Sequence, residues 1–214
     1  MSHKKRIVVA AVIGLVLAAG IGGLGAVFKQ NADYSAEYVS TQMAQQRITF
    51  KPIEHLTPAE RAQPCVVANA GQPLRTGKQA ECYANHFIAV HLQEYGEGKT
   101  YAEWGVDEFA LVAEIEEAKA AGRSESRIAA LEADLAEIRA IRSRLFQGET
   151  LRGILLTSFG FSMLGDKAGQ AASVAFAGAI TLAAVSLVTL AVSAVASLRA
   201  PARREVGALA PASS

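Results

Sequence analysis

The chain is short of net charge, of cysteine and of tryptophan, and each scarcity removes a class of function. Lys and Arg number 21 against 20 Asp and Glu, so the basic footprint of a nucleic-acid binder is absent. Two cysteines do not make a zinc-type pattern. No HExxH helix and no nucleophile elbow occur. Gly98-Lys99-Thr100 ends like a phosphate-binding loop, but the first glycine of GxxxxGK[ST] falls on Gln93, so no nucleotide site is read there. The single tryptophan, Trp104, and Tyr101 are assigned to a domain core rather than to a membrane surface.

Charge is missing altogether from two stretches, 7–28 and 171–198. As a helix the first spans about 33 Å and the second about 42 Å, against a hydrocarbon core of about 30 Å. The first run is longer than the apolar core of a cleaved signal peptide, and Gly23-Leu24-Gly25 is a poor cleavage site, so it reads as an uncleaved anchor. Gly14, Ala18, Gly22 and Ala26 recur every four residues along it. That repeat is the mark of a helix-packing stripe, beside the plainer reading that small residues are common in such helices.

The charges that remain are segregated. Residues 1–6 carry three positives and no negatives, residues 29–150 carry 13 positives and 18 negatives, and residues 199–214 carry three positives and one negative. Basic tails flanking an acidic middle predict cytoplasmic ends and an external central domain. Segment 151–170 opens with a 14-residue apolar run whose only charge is Arg152. It is short for a span, and a third crossing would carry Arg199, Arg203 and Arg204 outside, against the positive-inside rule. The sequence therefore predicts an all-α membrane protein of six parts. These are a tail (1–6), a transmembrane helix (7–28), an extracytoplasmic helical domain (29–150), an interfacial or helix-extension segment (151–170), a second transmembrane helix (171–198) and a tail (199–214).

Within 29–150, Cys65 and Cys82 are expected to pair as a disulfide in an oxidising compartment, the alternative being two separate buried thiols. Thr57/Glu60, Thr76/Gln79 and Thr100/Glu103 are spaced as capping boxes that start helices. The second helix should end near Tyr95, with Gly96 in a left-handed cap, and place Ala80, Ala84, Phe87, His91 and Tyr95 on one face. The stretch 40–56 is less regular, with 48–52 as a short extended piece. Residues 107–121 and 125–147 read as an antiparallel helical hairpin. Its seam is Ile128, Leu131, Leu135, Ile138 and Leu145 against Phe109, Val112, Ile115 and Ala118, with Gly122 as the stop. Glu132, Asp134, Glu137, Arg139, Arg142 and Arg144 are placed mainly off that seam.

The histidines offer little chemistry. His86 and His91 lie five apart, about 140° around a helix, and His91 with Glu94 supplies only two ligands where a structural zinc takes four. No catalytic residue, cofactor or metal is assigned, and His91 is expected to pack within the domain.

Short motifs at Ala70-Gly71-Gln72, Thr76-Gly77-Lys78-Gln79-Ala80-Glu81, Tyr83-Ala84-Asn85, His91-Leu92 and Gly98-Lys99-Thr100-Tyr101-Ala102-Glu103 resemble actinobacterial membrane proteins of unknown function with a membrane helix at each end. Some of those carry the label of aromatic ring-opening dioxygenase. Such an enzyme takes a set like two His and one carboxylate, which is not readable here, so no functional residue is carried over. The expectation is a non-enzymatic envelope protein, a scaffold, accessory or assembly subunit. Its partners would be the lipid bilayer and a membrane protein or a second copy, with no nucleic acid. The alternatives are a metal- or ligand-dependent extracytoplasmic enzyme using His86, His91 and Glu94, and a small transport subunit. The charge-free interiors of the spans argue against the last.

Overall fold

The computed structural model describes the backbone of residues 3–208, and the side chains of 3–198. The ends of both predicted tails, residues 1–2 and 209–214, lie outside the described residues. Among the described residues the structure is helical and without strands: α1 (His3–Gln46), a short 3₁₀ turn (Ile53–His55), α2 (Pro58–Arg61), α3 (Pro64–Ala68), α4 (Gly77–Cys82), a π-helical turn (Tyr83–Ile88), α5 (Ala89–Tyr95), α6 (Tyr101–Ala120) and α7 (Glu125–Ala208). The chain divides into two compact units, one of residues 1–34 with 164–214 and one of residues 35–163.

The first unit holds the two apolar runs. They lie on α1 and α7, both long and apolar enough to cross a membrane. Small residues let the two helices approach. A Cβ on Gly14 would run into Ser186 Oγ, one on Gly22 would lie 3.7 Å from the Ala179 Cβ, and one on Gly25 3.2 Å from the Ala175 Cβ. Ascending positions on α1 meet descending positions on α7, so the pair is antiparallel. Ala11, Ala18, Ala172 and Ala179 are buried along this seam, but Ala26 is exposed and Gly25 is buried in its stead. The reason is helical phase: four residues advance about 400°, so each strict step of four drifts about 40°. A seam is kept by mixing steps of three and four.

The second unit packs short helices around a longer one. Three capping boxes form at Thr57/Glu60, Thr76/Gln79 and Thr100/Glu103, each with the threonine hydroxyl accepting from the third helical N–H and the acidic or amide side chain accepting from the threonine N–H. Helix α1 runs on to Gln46, through part of the stretch expected to be irregular, because Val39 and Met43 are buried against this unit's core. Residues 48–50 are then extended, with one antiparallel bridge, Thr49 to Pro73. Helices α4 and α5 are joined through the π turn. Ala80, Ala84, Ile88 and Leu92 are all buried, a run of fours that wider π turns hold in line where an α-helix would drift. Tyr95, expected on that face, is 53% exposed.

Helix α5 ends differently from the sequence expectation. Gly96 has φ −84°, and the left-handed residue is Glu97 at φ 51°. The Gly98 N–H donates to the Gln93 carbonyl and the Glu97 N–H to that of Glu94, the pair of bonds that closes a Schellman cap. Gly122, at φ 62°, occupies the same position after α6.

Helix α6 and the start of α7 share a core of Ile115, Ala118, Leu131 and Leu135. Ion pairs flank it at Glu114–Arg127 (2.9 Å), Lys119–Glu132 (3.0 Å) and Glu108–Arg139 (2.8 Å). Four positions differ from the pattern expected, and two of them, Ile138 and Leu145, join the core around Phe50 and Leu92 in place of this one. Phe109 is 77% exposed, while its neighbour Glu108 is the residue that faces α7. Arg142 packs there too, pairing with Glu108 and lying 4.4 Å from the Tyr101 ring centre. Its guanidinium occupies the space beside Gly105, 3.3 Å from where a Cβ on that residue would lie. Helix α7 continues through 151–170 without a break at Gly165-Asp166-Lys167.

Candidate functional site

The most concentrated chemistry in the second unit surrounds Glu60, whose side chain is fully buried. Its position follows from the capping box: as the third residue of α2 it turns back and accepts the Thr57 N–H at 2.7 Å through Oε2. Its other oxygen, Oε1, accepts from Lys51 Nζ at 2.7 Å and lies 3.0 Å from His91 Nε2. An aromatic wall stands alongside. Tyr83 stacks on Phe87 at 4.6 Å, Phe87 meets the His91 ring edge-on at 4.7 Å, and Lys51 Nζ sits 5.2 Å from the Phe87 ring centre. Phe50 closes the wall, edge-on to Tyr83 at 5.1 Å.

Electrostatics follow from these contacts. Burial by itself pushes the Glu60 carboxyl up, but the hydrogen bonds from Lys51 and from the Thr57 N–H, with the charges of Lys51 and His91, bring it below the usual carboxylate value. Burial, then the Glu60 charge, push the Tyr83 phenol up. The carboxylate thus stays ionised in a buried place because several donors converge on it. It ties the extended piece (Lys51), α2 and α5 (His91) to one another, and it fixes the orientation of an imidazole that is about a quarter exposed.

The three residues of the enzyme alternative are not gathered around one point. His86 Nδ1 lies 2.9 Å from Gln63 Oε1, His91 pairs with Glu60, and Glu94 is exposed. Among the described residues no three of His, Cys, Asp and Glu are grouped to hold a metal ion. Glu60 and Lys51 were the members that sequence spacing missed. Glu60 is legible in the chain as a helix cap, but its partner His91 lies 31 positions further on, beyond any local repeat.

Cys65 on α3 and Cys82 at the end of α4 are joined as a disulfide, their Cα atoms 6.0 Å apart. Cys82 is buried and belongs to the core. Nearby, Asn69 Nδ2 donates to the Cys65 carbonyl at 2.8 Å and Gln79 Nε2 donates to Asn69 Oδ1 at 3.1 Å. The bond therefore joins two short helices already linked by amides. Trp104 is buried, donating from Nε1 to the Gly96 carbonyl at 2.8 Å, with Lys99 Nζ 4.7 Å from its ring centre.

Comparison with known protein families, with characterised proteins and with solved structures finds no match to the chain.

Proposed function

We propose that the chain is a non-enzymatic envelope protein, a scaffold or assembly subunit anchored by two membrane helices. Its tails would lie in the cytoplasm, and residues 29–150 would form an extracytoplasmic domain that binds a membrane-protein partner. The two apolar helices, the basic tails and the disulfide pair support this reading.

The observation that carries it is a contrast within the second unit. The buried ionic cluster at Glu60 is satisfied by the chain's own donors, so that cluster does not call for a ligand. On α6, by contrast, Val106 and Phe109 stand 69% and 77% exposed, outside the core of Ile115, Ala118, Leu131 and Leu135. Large apolar side chains left to solvent at helical spacing suit a protein contact.

A photocrosslinking residue placed at 109 in native membranes tests the proposal. One discrete protein adduct is expected from position 109 and none from position 116, a polar and exposed site on the same helix. Equal labelling at both positions, or none at either, would remove the scaffold reading.

A further inference from the structure

The second unit carries a cleft of about 490 Å³ between the end of α1 and the middle of α7, within the roughly 300–1,000 Å³ of small-ligand sites. Its floor is hydrocarbon: Val39, Met43 and Leu155 are buried there. Its rim is hydrocarbon left to solvent, with Ile154 at 56% and Leu151 at 41% exposure. One end is shaped by Tyr38 and Phe161, edge-on at 5.7 Å, and pinned by Ser35 Oγ donating to the Phe161 carbonyl at 2.8 Å.

No charged residue lines the cleft. Two of its polar members also turn their hydroxyls away, Thr157 donating to the Gly153 carbonyl and Ser158 to that of Ile154. Tyr38, Gln42 and Gln46 complete its polar members, all uncharged, so the lining offers no charge to pair with a phosphate, a carboxylate or an ammonium group, and much to hold apolar chain. Shape narrows the choice further. From 151 to 161 the helix rises about 15 Å, and about 490 Å³ along that length leaves a mean section of roughly 30 Å². A helix, about 10–12 Å across, would admit only a ridge of its side chains, whereas a hydrocarbon chain enters whole. The cleft also lies on the two helices that bear the apolar runs: Tyr38 stands ten residues past Phe28, and Phe161 ten residues before Ala171.

We propose that this cleft binds the acyl chain of a bilayer phospholipid. The inference rests on the membrane reading of α1 and α7, but not on the scaffold role. The fit is by length and hydrophobicity, with the headgroup left in solvent, so selection is for chain rather than for headgroup.

The test uses the full chain in phosphatidylcholine and phosphatidylglycerol vesicles that include a phosphatidylcholine with a photoactivatable acyl chain. After illumination, labelled peptides are mapped by mass spectrometry. Label is expected in 7–28 and 171–198, and in addition in 38–48 and 151–161. Ile154→Glu, at a rim position exposed enough to leave folding intact, should cut label in the last two segments roughly tenfold by placing a charge in an apolar mouth. Ile154→Leu should retain it, and label in the spans should not change in either variant. Wild-type label confined to the spans overturns the cleft proposal and leaves the membrane reading standing. Label absent from the spans as well overturns both. Cleft label unmoved by Ile154→Glu, or a crosslinker at 154 that joins protein in place of lipid, also overturns the proposal.

Discussion

At the scale of single residues, Glu60 is the most informative side chain. Replacing it with Gln keeps the shape and removes the charge that Lys51 and His91 share. Glu60→Gln should lower stability at neutral pH by about 1–3 kcal/mol, read as a fall in melting temperature of the detergent-solubilised chain. The pH dependence has a definite sign. The folded-state carboxyl lies below the usual 4.5, so its contribution is full above that value and is lost as pH falls through the lower, folded value. The native chain should therefore weaken as pH drops below about 4.5, and Glu60→Gln should lose part of that slope. Equal acid slopes in both proteins would show that the carboxylate is not held as described.

At the scale of elements, the contact between α6 and α7 separates two residue types that look alike in sequence. Leu135 is 9% exposed in the shared core and Phe109 is 77% exposed. Leu135→Asp would bury an unpartnered carboxylate and should cost at least about 2 kcal/mol, whereas Phe109→Asp should stay within roughly 0.5 kcal/mol. Similar melting of the two variants would contradict this division between the α6–α7 core and the open face of α6. The cap after α5 shows the same dependence on context. A left-handed cap residue is usually glycine, yet Glu97 takes that conformation and Gly98 follows it, also left-handed, at φ 81°.

At the scale of the whole molecule, topology and the disulfide are tested together. Single-cysteine variants labelled in intact cells should react at position 120 and be shielded at 208, the reverse result inverting the proposed orientation. The Cys65–Cys82 bond spans a separation of 17 residues, for which chain-entropy arguments give roughly 3 kcal/mol. Mass spectrometry of unreduced, alkylated protein from its native envelope should find no free thiol, and reduction should lower the melting temperature.

What the sequence determined by itself was local or cumulative. Run length and absence of charge mark 7–28 and 171–198, because spanning depends on the sum of side-chain hydropathies rather than on their partners. The three capping boxes and the stop at Gly122 were legible for a related reason: each depends on groups within one helical turn. Tertiary structure alone decided which residues meet across long separations. It brought Glu60 to His91, turned Arg142 inward and Phe109 outward, and exchanged Gly25 for Ala26 in the small-residue seam. It also made a cleft from 38–48 and 151–161, whose members lie more than a hundred positions apart. The physical reason is that a repeat specifies a face only to within helical phase, and phase error grows with every turn. Packing against a second element is what selects the residues finally buried.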